Sequence, residues 1–115
     1  MRKRLRKKKH LGEFIEWDVA VTVNLVPGAD YETFLDDWIE QAIEGNHCFF
    51  GGSCMPEQTE GIIQLGTVAK QPEKRLARIT DWLKHRSDVL NFQFSPLYDG
   101  WNGPFLDSEG QEIIF

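Results

Sequence analysis

Hydrophobic and polar residues alternate regularly near the start of the chain. From residue 17 to residue 25 every second position is apolar, and polar or small residues stand between them. This period of two is typical of a β-strand with one buried face. The apolar positions are Trp17, Val19, Val21, Val23 and Leu25. Pro27-Gly28 is predicted to end the strand, and Asp30 is predicted to cap the helix that follows.

The apolar spacing then changes to three and four residues, which predicts an amphipathic helix over residues 31–43 with an acidic outer face. Its apolar positions are Tyr31, Phe34, Leu35, Trp38, Ile39, Ala42 and Ile43. Gly45-Asn46 is predicted to close this helix. A second helix is predicted to begin at Pro72 and to bury a stripe formed by Leu76, Ile79 and Leu83.

Three further strands are predicted from short apolar segments. Residues 47–50 form the first, followed by a turn at Gly51-Gly52-Ser53; residues 61–68, rich in β-branched side chains, form the next. The last is predicted where Leu90, Phe92 and Phe94 alternate with polar residues. The resulting β-α-β-β-α-β order predicts an α+β fold of the ferredoxin-like plan, with a four-stranded antiparallel sheet and two helices on one face.

A length of 115 residues suits one domain. We expect a basic arm over residues 1–10, a single α+β domain over residues 11–101, and an irregular C-terminal extension over residues 102–115 that packs on the domain. Apolar runs are far shorter than the roughly 18–20 residues that cross a bilayer, so no membrane association is expected. Two cysteines and no signal peptide pattern indicate a reducing, cytoplasmic location.

Charge is distributed very unevenly along the chain. The formal net charge is −5, from 13 Lys and Arg against 18 Asp and Glu, but seven of the cations lie in the first nine residues and no acid does. The remainder therefore carries 6 basic and 18 acidic residues, a net charge of −12. The seven cations are Arg2, Lys3, Arg4, Arg6, Lys7, Lys8 and Lys9. We expect the arm to be disordered, because it has too little apolar surface to offset ordering entropy.

This basic arm is the clearest functional signal in the sequence. Cations that neutralise phosphates release condensed counterions, which gives salt-sensitive affinity for nucleic acid. The acidic body repels phosphate, and its Asp36 and Asp37 suit basic protein surfaces or serve solubility. A ribosome offers both RNA and basic proteins, so this polarity would steer docking. A solvated tail and a nuclear-import signal are the alternative interpretations of the arm.

Signals for catalysis or cofactor binding are weak by comparison. His47, Cys48 and Cys54 lack the paired spacing of a zinc site, so we expect no metal and no other cofactor. Gly51-Gly52-Ser53 lacks the pattern of a phosphate-binding loop. The carboxylates stand in no motif with a nucleophile, so we expect no catalytic residues and a non-enzymatic protein. An enzyme would instead need a concave pocket that holds at least two of Glu16, Asp18 and Glu60 near His47.

Four segments together resemble a known family. They are residues 4–14 (RLRKKKHLGEF), 34–44 (FLDDWIEQAIE), 49–52 (FFGG) and 97–101 (LYDGW). The chain resembles the YggL family of small bacterial proteins associated with the large ribosomal subunit, over residues 2–101. The resemblance implies binding to the 50S subunit as an accessory or biogenesis factor, with no catalytic activity and no required cofactor. The positions that match the opening motif are Arg4, Leu5, Arg6, Lys7, Lys8, His10, Glu13 and Phe14.

We therefore predict a cytoplasmic protein, monomeric and without a small-molecule substrate, that docks on the large ribosomal subunit. Contact with ribosomal RNA is assigned to Arg2, Lys3, Arg4, Arg6, Lys7, Lys8, Lys9 and His10. The candidates for contact with basic ribosomal proteins are Glu13, Phe14, Asp36, Asp37 and Trp101. Packing on the sheet edge is the alternative role of Trp101. The alternative function is a protein-interaction or small-ligand-binding module in which the acidic body carries the activity.

Overall fold

A computed structural model describes residues 15–101 and 103–113 of the chain. Its main sheet is antiparallel and has the strand order β2-β3-β1-β4, with a short fifth strand paired to the start of β1. The strands are β1 (Trp17–Leu25), β2 (Phe49–Met55), β3 (Gln58–Gly66), β4 (Val89–Phe94) and β5 (Tyr98–Asp99). The predicted α+β class is confirmed. The predicted arm, Glu13 and Phe14 lie outside the described residues.

Two helical segments pack against one face of this sheet. The first is α1 (Tyr31–Asp37), continued by a π-helical turn (Trp38–Ile43) and a 3₁₀ turn (Glu44–Asn46); the second is α2 (Pro72–Lys84), preceded by a 3₁₀ turn (Val68–Lys70). Together with β1 and β3 they enclose the core. Its fully buried large side chains are Trp38, Phe34, Ile43, Ile63, Leu65, Ile79, Leu83, Val19, Val21 and Val23. None of the helices in this described part of the chain is long and apolar enough to cross a membrane.

The first helix departs from the regular α-helix that its spacing predicts. Asp30 caps it as expected, since its carboxylate accepts hydrogen bonds from the Thr33 amide (3.2 Å) and hydroxyl (2.8 Å). Phe34, Trp38 and Ala42 lie four residues apart, a spacing that drifts by about 40° per step around an α-helix. The wider π-helical turn offsets this drift, so all three side chains are fully buried.

The turn predicted at Gly51-Gly52-Ser53 is wrong. These residues continue β2 as far as Met55, and the chain reverses in a two-residue turn before β3, which begins at Gln58 rather than at residue 61. The glycines serve the strand pairing instead, because Gly52 lies opposite Gly61 and a Cβ on Gly52 would overlap the Glu60 carbonyl. Val68 also lies outside β3, in the 3₁₀ turn.

The predicted alternation of β4 is wrong at Leu90, which is 59% exposed. The register shifts between Asn24 and Leu25 of β1: Leu25 pairs with Val89 and Asn24 with Asn91. Leu90 is the extra residue of this bulge and turns to solvent. Val89, Phe92 and Phe94 therefore supply the apolar face of the strand.

The face of the sheet opposite the helices, called the outer face below, meets the C-terminal segment. The hydroxyls of Thr22 in β1 and Ser108 lie 2.7 Å apart, and an isolated bridge joins Leu106 to Glu112. Residues of this segment and of β1–β3 line a shallow groove of about 380 Å³. The C-terminal segment thus lies against the outer face near the middle of β1.

Candidate functional site

A cleft of about 490 Å³ lies at the end of the sheet where β2 begins and β3 ends. We call it the Phe49 cleft. It is bordered by the start of β1, the loop before β2, the turn after β3 and the first turns of α2. Its lining residues are Glu16, His47, Phe49, Gln64, Gly66, Thr67, Lys70 and Arg75. It therefore combines an aromatic ring, two cations and several hydrogen-bonding groups in one concave site.

Arg75 fixes the geometry of this cleft. Its Nη1 donates hydrogen bonds to the carbonyl of His47 at 3.0 Å and to the carbonyl of Leu65 at 3.1 Å. His47 has a left-handed backbone, with φ of 61°, where the first helical segment ends. One guanidinium thus joins α2 to the chain before β2 and to the end of β3.

Gly66 closes the base of the cleft in a conformation that suits glycine, with φ of +102°. A Cβ at this position would lie 3.2 Å from the Lys70 side chain and 3.3 Å from Arg75 Nη1. The missing side chain therefore leaves space for the stem of Lys70 and the guanidinium of Arg75 at the end of β3.

Most cations of the acidic body are close in sequence to Lys70 and Arg75, which line this cleft. Only six Lys and Arg follow the arm, and four of them lie within residues 70–78, where Glu73 is the one acid. They are Lys70, Lys74, Arg75 and Arg78. Sequence analysis missed this second basic cluster because the net charge of the body conceals it. A count of charge in short windows would have found it.

Phe49 is the aromatic residue at the rim of the cleft. It is 72% exposed, although it stands in a strand that is paired with β3 through Gln64. The alternation of β2 explains this exposure, because Phe50 turns towards the core and contacts Trp38 (centroid distance 5.7 Å) while Phe49 turns to the outer face. Met55 is exposed on the same side at the other end of β2.

A second notable group surrounds Asp18, which is 7% exposed. Asp18 pairs with Tyr98 of β5, and a Cβ at Gly100 would overlap its carboxylate. Burial, with smaller contributions from the carboxylates of Glu16 and Asp99, raises the pKa of Asp18 to about 6. Asp18 Oδ1 and the Tyr98 hydroxyl have no hydrogen-bond partner among the described residues. Burial also raises the pKa of Tyr98, to about 12.

A third group is an ion-pair network around Arg86. Arg86 donates to Asp37 Oδ2 at 2.8 Å, and its Nε and Nη2 donate to the two carboxylate oxygens of Asp88 at 3.0 and 2.8 Å. Its guanidinium also lies 4.9 Å from the Trp82 ring centroid. Hydrogen bonding to Asp88 raises the pKa of Arg86, and hydrogen bonding to Arg86 lowers the pKa of Asp88. The network joins α1 to the segment between α2 and β4.

The predicted protein-contact residues differ in their surroundings. Asp36 is exposed on α1, whereas Asp37 is half-buried and paired with Arg86. Trp101 is 67% exposed, and its backbone amide donates to Asp99 Oδ1 at 2.8 Å. Their role in binding a partner stays a prediction.

The described residues do not form the pocket that was required of an enzyme, with two of Glu16, Asp18 and Glu60 near His47. The Phe49 cleft holds Glu16 and His47, but Asp18 and Glu60 are not among its lining residues. Cys48 is buried, which raises the pKa of its thiol. No group of three metal-ligating side chains occurs within residues 15–101 and 103–113.

Comparison with known proteins identifies the family. A relative from Haemophilus influenzae, an uncharacterized protein, is 30% identical over 101 residues, which cover 85% of this chain and 87% of the relative. No solved structure matches the chain. The family model described as YggL 50S ribosome-binding protein matches residues 3–102. The chain therefore belongs to the YggL family of 50S ribosome-binding proteins.

Proposed function

We propose that this protein binds the large ribosomal subunit and that its basic arm contacts ribosomal RNA. The observation that carries the proposal is the extent of the family match. The match begins at residue 3, so it includes six of the seven cations of the arm. Phosphate contact best explains why the matched region of a ribosome-binding family opens with these charges.

The polarity of the chain supports this orientation. The arm carries +7 and the remainder −12, so phosphate attracts one part and repels most of the other. We infer that the body turns its acidic face, which includes the exposed Asp36, towards solvent or basic ribosomal proteins. Such a charge distribution speeds encounter and fixes the direction of approach. Glu13, Phe14 and the exposed Trp101 are the further candidates for protein contact.

Ribosome binding also indicates the role, the oligomeric state and the location of the protein. We propose an accessory or biogenesis role without catalysis, in a monomer that acts in the cytoplasm, where ribosomes are. We also interpret the body as a ferredoxin-like fold. The strand order β2-β3-β1-β4 and the packing of both helical segments on one face support that interpretation.

Neutralising the arm tests the proposal. The variant Arg4→Ala/Arg6→Ala/Lys7→Ala/Lys8→Ala should bind purified 50S subunits more weakly and with a smaller salt dependence. Each lost phosphate contact reduces the slope of log K against log salt by about 0.7 to 0.9. The control is Lys7→Arg/Lys8→Arg, which keeps the charge and should keep the slope. Equal affinity and slope for the neutralised variant and the wild-type protein would refute the role of the arm.

A further inference from the structure

We propose that the Phe49 cleft binds an unpaired RNA nucleotide, with the base stacked on Phe49 and the phosphate held by Lys70. The inference deepens the proposed function, because it gives the acidic body an RNA contact of its own.

The size and shape of the cleft suit a nucleotide. Small-ligand sites measure about 300 to 1,000 Å³, and the volume of about 490 Å³ falls within this range. Phe49 is exposed at the edge of the cleft, so a nucleotide stacked on its ring can remain part of a continuing chain. A single strand meets this condition better than a duplex, whose bases are already stacked and paired.

Phe49 supplies the stacking surface. An aromatic ring that is 72% exposed gains little from its present surroundings and offers a free face to a base. Proteins that bind single-stranded RNA commonly stack bases on such rings, and the preference for sequence is low because every base has a π-face. Phe49 stands on a paired strand, which holds its backbone in a fixed position.

The charge at the cleft is opposite in sign to that of the body. The lining holds two cations, Lys70 and Arg75, and one carboxylate, Glu16. Lys74 and Arg78 stand on the same helix as Arg75 and add positive charge to its first two turns. Arg75 contributes its charge while Nη1 remains bonded to His47 and Leu65.

Two uncharged side chains give the cleft a means to recognise a base edge or a ribose. Gln64 pairs across the sheet with Phe49, and its amide both donates and accepts hydrogen bonds. The hydroxyl of Thr67 lines the same space. Polar groups beside a stacking ring are the arrangement by which proteins bind splayed nucleotides.

The arm and the cleft are also close along the chain. Glu16 lines the cleft, and His10 precedes Glu16 by six residues. Six residues of extended chain cover about 20 Å. An RNA strand bound by the arm can therefore reach the cleft within a few nucleotides. This closeness in sequence allows one RNA strand to contact both the arm and the cleft.

A binding experiment with the full-length protein tests the cleft separately from the ribosome. The probe is a fluorescently labelled eight-nucleotide uridine RNA, titrated by anisotropy at several salt concentrations. Phe49→Ala should weaken binding by about 5- to 150-fold, the range that corresponds to loss of one base stack. Phe49→Tyr keeps the ring and should restore most of the affinity. Lys70→Ala should lower the salt slope by about 0.7.

Matched variants control for surface changes as such. Met55→Ala removes an exposed apolar side chain from the same strand, and Lys84→Ala removes an exposed cation from the far end of α2. Neither should alter RNA affinity by more than twofold. Equal effects of Phe49→Ala and Met55→Ala would overturn the proposal, as would a loss of duplex binding by Phe49→Ala equal to its loss of single-strand binding.

Sedimentation with purified 50S subunits, run in parallel, distinguishes the two proposals. If the intact protein binds subunits but Phe49→Ala and Lys70→Ala bind both RNA and subunits as the wild type does, the cleft is refuted and ribosome binding stands. If the protein fails to bind subunits while its binding of the uridine RNA still depends on Phe49 and Lys70, the nucleotide site is supported and the proposed function fails.

Discussion

Replacement of Asp18 by Asn tests the electrostatics at the start of β1. Asp18 is 7% exposed, and its Oδ1 lacks a hydrogen-bond partner among the described residues. Asn has the same shape, so it fits beneath Gly100 without crowding. It carries no charge, and its amide can donate a hydrogen bond towards the Tyr98 hydroxyl on the paired strand.

The magnitude follows from the pKa of Asp18, which burial raises from 3.8 to about 6. The native state holds its proton more tightly than the unfolded state, so stability attributable to this group is greatest in acid. It declines as pH rises from about 4 to about 6, and above pH 6 the ionised group costs the fold about 3 kcal/mol. Asp18→Asn removes this cost and should raise the free energy of unfolding at pH 7.5 by about 1 to 3 kcal/mol.

Urea denaturation followed by tryptophan fluorescence measures this effect between pH 4.5 and 7.5. The difference between Asp18→Asn and the wild-type protein should grow with pH and level off above pH 6, with the same m-value for both proteins. Asp36→Asn removes an equal charge from an exposed position of α1 and should change stability by less than about 0.5 kcal/mol. The reasoning is wrong if Asp18→Asn is less stable than the wild type at pH 7.5, or if the difference is the same at every pH.

Two further substitutions test the other groups. Arg86→Ala should lower the free energy of unfolding by about 1 to 3 kcal/mol, since it breaks charged hydrogen bonds and a contact with Trp82. The fold lowers the pKa of Asp88, so this loss of stability should be full above about pH 4 and should shrink as the pH falls further. An equal loss in strong acid, measured by urea denaturation, would contradict this. Gly66→Ala should cost about 1 to 3 kcal/mol by calorimetry, because its positive φ strains any residue other than glycine and the new methyl group would press on the Lys70 side chain. An unchanged melting temperature would refute that account.

Elements whose pattern is set by local periodicity were predictable from the sequence. β1 alternates because one face meets the core, and each of its odd-numbered positions from residue 19 is buried. The cap at Asp30 and the start of α2 at Pro72 also depend on neighbours in sequence.

Features decided by residues distant in sequence were not predictable in this way. The Gly51-Gly52 pair resembles a turn locally, but its place in a strand depends on Gly61 across the sheet. The exposure of Leu90 results from a bulge against β1. Burial of Asp18 depends on a strand that begins 80 residues later, at Tyr98.

The arm and the Phe49 cleft differ in the same way. The arm was visible as a run of like charges, because charge needs no fold to be recognised. The Phe49 cleft was not, since it joins β2, β3 and α2. Phe49 by itself is typical of a strand, and only the fold brings it beside Lys70.

Sedimentation of cell lysate through a density gradient tests the central claim most directly. The intact protein and a form lacking residues 1–10 are detected across the gradient at low and at high salt. Arm-driven ribosome binding predicts that only the intact protein travels with the large subunit, and that high salt releases it. Both forms remaining at the top of the gradient at every salt concentration would contradict ribosome binding by this protein, and comigration of both forms would contradict the role of the arm.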